Sequence, residues 1–245
     1  MKYDLEIVIP VFHEERNIVE TLENILEKIK LNFRILVIYD FLEDPTINEI
    51  KKNFNDSKII LVQNKYKGLN GAMKTAFEMS ESKASMLYTA EDHQNYDVIN
   101  NMYSKFLEGY DVVCASRLMS GGDYYKIKEP FIKSFLVKIV SFILANFTSL
   151  PTKDPTNGFR LFSGKVLKEF PIESRLGFTF AIELLAKAYR YNFNITEVPA
   201  QSPIRNFGKS KFSYYSIAFY LPWFIYILIF KPNQKKPNNL KNKDQ

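Results

Sequence analysis

Ser85-Met86-Leu87-Tyr88-Thr89-Ala90-Glu91-Asp92-His93-Gln94 sets an apolar run directly before a pair of acids. Ser85 to Tyr88 reads as a buried strand, and Glu91-Asp92 falls where that strand emerges. In an open α/β sheet, ligands bind outside the carboxyl ends of the strands, so acids there face a cleft. Two adjacent carboxylates and the Gln94 carboxamide are hard oxygen donors suited to Mg²⁺ or Mn²⁺. A divalent ion held there would carry the diphosphate of a nucleotide substrate. The plainer alternative is a strand running into a loop with solvated charges, and this segment alone leaves both open.

The flanking chain repeats the strand-then-helix pattern. Leu5 to Pro10 is a β-branched run ended by proline, and Glu14-Glu15-Arg16-Asn17 opens a helix with Ile18, Leu22, Ile25, Leu26 and Ile29 at helical spacing. A strand from Phe33 to Asp40, a turn at Glu43-Asp44-Pro45-Thr46, a short helix and a strand from Lys58 to Val62 come next. A helix from Gly68 to about Ser82, the Ser85 strand, a helix from Asp97 to Leu107 and a strand from Asp111 to Ser116 complete the alternation. Such alternation implies an α/β fold, with a mostly parallel sheet covered on both faces. No G-x-G-x-x-G follows the first strand, and Gly68-Leu69-Asn70-Gly71 does not fit that spacing, so a dinucleotide dehydrogenase is disfavoured. No Walker A sequence is present, which excludes a P-loop NTPase.

The 245 residues, 46% hydrophobic and 15% aromatic, are enough for a sizeable core and exclude a disordered protein. The net charge is +6, of which residues 231–245 alone, with five lysines and one aspartate, carry +4. That is a basic tail, expected to be disordered, and not a nucleic-acid-binding face. Cys114 is the single cysteine, so there is no disulfide framework, and a reducing compartment is expected. Met1-Lys2-Tyr3-Asp4 leads straight into a strand, which reads as no signal peptide.

From about residue 125 the pattern changes. Pro130 to Leu150 is apolar almost all round, as expected of a helix that is either core or membrane-facing. Asp154 to Phe162 reads as loop and strand, Lys165 to Phe170 and Phe178 to Tyr191 as helices, and Ile195 to Val198 as a strand. Ser213 to Phe230 is an uncharged, aromatic run broken by Pro222. As a straight helix it would measure about 27 Å, barely a bilayer core. Its tyrosines and Trp223 favour the membrane interface, so an interfacial or partly inserted helix is preferred over a span, with the lysine-rich tail against anionic lipid. The expected organisation is a domain over 1–212, an apolar membrane-associated helix over 213–230 and a tail over 231–245, at the cytoplasmic face of a membrane as a peripheral, monotopic or single-span protein.

Val8-Ile9-Pro10-Val11-Phe12-His13-Glu14-Glu15-Arg16-Asn17-Ile18 resembles the opening of family 2 glycosyltransferases. Later motifs resemble the polyprenyl-phosphate, dolichol-phosphate mannosyltransferase-like branch: Lys67-Gly68-Leu69-Asn70-Gly71-Ala72, Ala115-Ser116-Arg117 with Gly121-Gly122, and Asp154-Pro155-Thr156-Asn157-Gly158-Phe159-Arg160. The order continues with Ile182-Glu183-Leu184-Leu185, Glu197-Val198-Pro199 and Arg205-Asn206-Phe207-Gly208-Lys209-Ser210-Lys211, so the resemblance covers about residues 5–212. It implies a GT-A fold, with donor binding at Pro10, Phe12 and Glu14, a nucleobase-reading acid at Asp40, Gly71 in the donor half, and a metal site formed by Glu91, Asp92 and Gln94. Three departures are visible. Phe41-Leu42 follows Asp40 where a second aspartate and Gly-Ser are usual. Ala90-Glu91-Asp92 stands for the D-x-D pattern. Lys133 and Val137 replace the usual Arg and Ser of the acceptor helix.

The implied reaction is inverting transfer of a sugar from a nucleoside-diphosphate sugar. A lipid-phosphate acceptor is already anionic and needs cations rather than a general base. Arg117 is assigned that role, with Lys133, Arg205 and Lys211 as partners. A sugar-hydroxyl acceptor, on a polysaccharide or glycolipid, needs a carboxylate base, for which Asp92, Asp154 and Glu183 are candidates. A third possibility is a nucleotide-sugar-binding protein without turnover. Among the structural alternatives, Arg117 would pair with an acid at a strand end, and Asp154 with Arg160. His13 and His93 are expected to line the donor cleft without forming a catalytic pair.

Overall fold

The computed structural model describes residues 1–124, 131–203 and 217–232, with the side chains of 131–133 and 217 excepted. The chain runs β1 (Tyr3–Val11), α1 (Ile18–Lys28), β2 (Phe33–Tyr39), α2 (Pro45–Asn53), β3 (Ile59–Gln63), α3 (Gly68–Glu78), β4 (Ser82–Leu87) and α4 (Tyr96–Leu107). It continues through β5 (Val112–Ser116), α5 (Phe131–Phe147), β6 (Arg160–Ser163), α6 (Gly164–Glu169), α7 (Thr179–Arg190), β7 (Ile195–Pro199) and α8 (Ile217–Ile229).

The strands form one sheet in the order β3-β2-β1-β4-β6-β5-β7. Every pairing is parallel except those of β6, which runs antiparallel to both β4 and β5. The expected α/β, mostly parallel sheet is what forms; the reversal of β6 is additional to it. Strand alternation divides the core in two. Leu5, Ile7, Ile9 and Val11 of β1 pack with Ile18, Leu22 and Ile25 of α1 and Ile99 and Met102 of α4. Val8, Leu36, Ile38 and Leu87 face the other side, against Met73 and Ala76 of α3 and Phe180, Leu184 and Leu185 of α7.

Two expectations need correction. The helix expected to reach Ser82 stops at Glu78, because Ser82 already opens β4 and the Ser80, Ser82 and Ser85 hydroxyls bond one another at 3.0–3.1 Å. Serine side chains in such local bonds compete with the helical backbone. The 213–230 run also forms a shorter helix within the described residues than its length suggests. α8 has 13 residues, and among the described residues no helix is long and apolar enough to cross a membrane. α8 instead packs on α7 and α5, burying Ile227 and donating from Trp223 Nε1 to Ser174 Oγ at 3.2 Å. Its outer residues Leu221, Ile225, Leu228 and Ile229 are exposed, as are Phe135, Ile139, Phe142 and Phe147 of α5.

Candidate active site

β1 lies between β2 and β4, so the strand order reverses at the β1/β4 boundary and leaves a crevice at their carboxyl ends. Val8 is paired with Leu87, and the two chains leave the sheet side by side. Thr21 of α1 donates to the Ala90 carbonyl at 2.6 Å and holds the start of the acidic turn against the core. Ala90, where the family pattern has its first acid, is itself a buried core residue.

Asp92 is 3% exposed and is the hub of the turn that starts α4. Its Oδ1 accepts from Gln94 N at 3.0 Å, Asn95 N at 3.1 Å and Asn95 Nδ2 at 3.0 Å, while Oδ2 accepts only from Asn95 Nδ2, at 2.8 Å. Burial raises the Asp92 carboxyl above the usual range, against the lowering effect of the Asn95 and Gln94 hydrogen bonds. Tyr88 sends its hydroxyl to the Asp92 carbonyl at 2.8 Å, so the turn is fixed from the strand side as well. His93 Nδ1 is 3.4 Å from the Tyr96 hydroxyl and 3.5 Å from Glu20.

At the β1 and β2 exits, Phe12, His13 and Phe41 form a ring cluster with centroids 4.9–5.7 Å apart. His13 has φ +58°, held in part by the buried Asp44 carboxylate, which accepts His13 N at 3.1 Å and caps α2 through Thr46 N at 3.0 Å. Glu14 N donates to Thr46 Oγ1 at 2.8 Å, and Asn17 Nδ2 donates to Glu14 Oε2 at 2.9 Å. Pro10 lies opposite Ile38, one residue before the β1–β2 pairing ends at Val11 and Tyr39. Asp40 accepts Gly68 N at 3.0 Å and Asn64 Nδ2 at 2.6 Å, so its carboxylate also anchors the start of α3. Gly71 is required by packing, since a Cβ there would lie 2.8 Å from the Tyr66 backbone.

The exits of β5 and β7 and the entry of β6 occupy the same edge. Arg117 forms a two-pronged pair with the fully buried Asp154: Nε to Oδ2 at 2.7 Å and Nη2 to Oδ1 at 3.0 Å. Arg117 N and Thr156 Oγ1 donate to the same carboxylate, at 3.1 and 3.0 Å. Burial of Asp154 favours its neutral form, but the Arg117 charge and these hydrogen bonds win and hold the carboxyl below its ordinary value. The Asp154–Arg160 bridge does not form. Arg160 is buried too, and spends its guanidinium on the carbonyls of Pro155 at 2.6 Å and Ala181 at 2.5 Å. Gly122 admits no side chain, because a Cβ would lie 2.3 Å from the Arg117 carbonyl oxygen.

Glu183 sits apart from this pair. Its carboxylate accepts Glu173 N and Ser174 N, each at 2.8 Å, and pairs with Lys187 Nζ at 2.6 Å, which pins the 171–176 loop to α7. Those three bonds hold the carboxylate that the sequence offers as a base for a hydroxyl acceptor. Arg205 and Lys211, and the side chain of Lys133, lie outside the described residues. Sequence reasoning passed over Asn95, Asp123 and Thr156. An asparagine immediately before a helical pattern was the available signal for the first.

Among the described residues no group of three or more His, Cys, Asp or Glu is placed to hold an ion. The donor set does fit an ion that arrives with phosphates: Mg²⁺ commonly uses one or two carboxylates plus substrate oxygens. Asp92 Oδ2, with a single hydrogen bond, keeps a lone pair for it, and Glu91 and Gln94 flank it.

An open α/β sheet with an acidic turn at its switch point is a frame on which ligand sites are commonly built. Residues 6–170 match the model of glycosyl transferase family 2, and the chain belongs to that family. It is 26% identical over 224 residues to dolichol-phosphate mannosyltransferase of Pyrococcus furiosus, covering 89% of this chain and 61% of that one. An uncharacterized glycosyltransferase of Synechocystis is 25% identical over 183 residues, covering 71% of this chain and 56% of that one. The chain thus spans little more than half the length of these two relatives. Glucosyl-3-phosphoglycerate synthase of Mycobacterium tuberculosis, solved with Mn²⁺, UDP-glucose and phosphoglyceric acid, superposes with a TM-score of 0.67 at 14% identity, over 95% of this chain and 81% of that one. The same enzyme has also been solved with Mg²⁺ and UDP. These likenesses establish a GT-A-like fold.

Proposed function

We propose that the protein transfers a sugar, with inversion, from a nucleoside-diphosphate sugar to polyprenyl phosphate at the cytoplasmic face of a membrane. The observation that carries the reading is the buried Asp92 turn at the β1/β4 switch point, with one carboxylate oxygen left for a ligand. Pro10, Phe12, Glu14, Asp40 and Gly71 belong to the donor half in this reading, with the Phe12–His13–Phe41 rings offering the base a stacking face. Mg²⁺ or Mn²⁺ would be held by Asp92 with Glu91 and Gln94, and when bound it supplies neutralisation of the leaving diphosphate. The chain's own contribution is to hold Asp92 by Asn95 and two backbone N–H groups, exclude water from the turn by burial, and fix Arg117 by Asp154. Arg117 is the acceptor-side cation, joined in the proposal by Lys133, Arg205 and Lys211. The exposed apolar residues of α5 and α8, followed by the lysine-rich 231–245 run, support a peripheral seat on anionic lipid.

A hydroxyl acceptor on a glycan or glycolipid is the second reading. It is favoured by the commitment of Arg117 to Asp154, which leaves less cationic charge for a lipid phosphate. The deciding assay mixes the protein, vesicles with polyprenyl phosphate, Mg²⁺ or Mn²⁺ and a panel of labelled nucleotide sugars, and follows label into the organic phase. Metal-dependent lipid product that requires polyprenyl phosphate supports the first reading, and metal-dependent donor hydrolysis, or transfer to an added glycan or glycolipid, without that product supports the second. Neither product with any donor would overturn both and leave a nucleotide-sugar-binding protein.

A further inference from the structure

Asn95 is 1% exposed and joins two loops that are 106 residues apart in sequence. On one side its amide donates to both Asp92 oxygens; on the other, Nδ2 donates to Gln201 O at 2.9 Å and Oδ1 accepts Gln201 N at 2.8 Å. Those partners permit only one amide orientation, because a flipped Asn95 would turn its oxygen to a carboxylate and a carbonyl. The linkage goes on from there. Ser202 N donates to Asp123 Oδ1 at 2.6 Å, and Ala200 N to Ser116 O at 3.0 Å, which ties the exit of β7 to the loop that carries Arg117.

We propose that Asn95 is a positioning residue that couples occupancy of the donor site to the placement of the Ala200–Ser202 segment and, through Asp123, the Arg117 loop. This rests on the glycosyltransferase reading above. The Nδ2 group has two hydrogens, one shared by the two Asp92 oxygens and the other given to Gln201 O, so both loops are held by a single amide. A ligand that takes up charge at Asp92 Oδ2 weakens the 2.8 Å bond there and thereby changes the polarisation and alignment of the amide that holds Gln201. Within a buried network such bonds reinforce or weaken one another, and the effect reaches Gln201 without any movement of a helix.

The test reads backbone hydrogen exchange over residues 199–203, by mass spectrometry, in the full chain. In ligand-free protein, Asn95→Ala is expected to speed exchange of the Gln201 amide about tenfold, the size of one lost buried hydrogen bond. Asp92→Asn should add little on top of it, because both changes cut the same unit; fully additive effects would overturn the coupling. With a saturating nucleoside diphosphate, wild-type exchange at 199–203 should change. The alanine variant should bind the nucleotide yet show no change. A wild-type segment indifferent to bound nucleotide refutes the proposal. Asn95→Asp, which keeps the acceptor for Gln201 N but turns a second carboxylate oxygen to Asp92 and to Gln201 O, should exchange at least as fast as alanine. It should also raise acceptor KM more than it lowers kcat. Circular dichroism and melting of each variant separate this from simple misfolding. If wild type binds no nucleoside diphosphate and turns over no sugar, the glycosyltransferase reading has failed, while the ligand-free exchange still judges the Asn95 linkage.

Discussion

Replacing Asp154 by alanine should remove more stability than any surface change in this protein, and the structure sets the size. Asp154 is fully buried, the Arg117 side chain is 13% exposed, and the carboxylate accepts four hydrogen bonds, two of them from the guanidinium. Removing one member of a buried pair leaves the other charge uncompensated, at a cost of about 3–5 kcal/mol. Partial solvent access at Arg117 places the expectation near the lower end. In a chain of this size each kcal/mol shifts the melting temperature by about 2–4 °C, so a fall of about 6–12 °C is expected by thermal circular dichroism at pH 7. Replacing both residues, as Arg117→Met with Asp154→Ala, should recover part of the loss, since no charge is then stranded. The pH profile provides a second check. The folded carboxyl is held below its unfolded value of about 3.9, so its stabilisation is present above that value and is lost as pH falls through the lowered folded pKa. The gap between wild type and Asp154→Asn should therefore shrink on acidification toward pH 3. An Asp154→Ala melt within 2 °C of wild type, or a double variant less stable than the single, would refute the reasoning.

Asp92→Ala should abolish sugar transfer while vesicle association persists; retained turnover in the labelled-donor assay would sink the Asp92 assignment. Gly122→Ala should destabilise by about 1–3 kcal/mol or more, because its Cβ would meet a backbone carbonyl at 2.3 Å, and urea melts measure this directly. Glu183→Ala should loosen the 171–176 loop and open it to proteolysis between Glu173 and Leu176, since two backbone N–H groups lose their acceptor. Serine at Leu221, Ile225 and Ile229 should weaken flotation with anionic vesicles severalfold and leave the melting temperature nearly unchanged, because these side chains contact solvent.

The alternation of strands and helices was legible because each buried strand is a short apolar run and each helix carries a 3.6-residue stripe. The termini of α4 and α7 match the pattern to within a residue, whereas α1 starts at Ile18, four residues beyond the expected Glu14. β6 was legible as a strand but not in direction: four residues, all buried, carry no periodicity that tells parallel from antiparallel. Around the candidate site, acids, glycines and arginines at strand exits are visible in one dimension, and the fold brings these loops to one edge of the sheet. An acidic partner for Arg117 was one of the open alternatives, but which acid it meets was not visible. Arg117 meets Asp154 rather than an incoming phosphate alone, and Arg160 meets carbonyls rather than Asp154, since both outcomes depend on how β6 reverses into the sheet. Asn95 was overlooked because its partner backbone at Gln201 comes from the far end of the chain.

The reversed β6 also has a consequence for how the chain is made. On a ribosome, β1 to β4 can pair as soon as residue 87 is clear, whereas the strand that covers the free side of β4 begins only at Arg160. At about 5–20 residues per second, that margin stays open for several seconds to a quarter of a minute. During that interval Ala84, Ser85 and Met86 present an unpaired backbone row beside a half-built sheet. Early misassembly, if nascent chains are crowded, should begin at β4, and the four residues Arg160–Ser163 act as the stopper that ends the exposure.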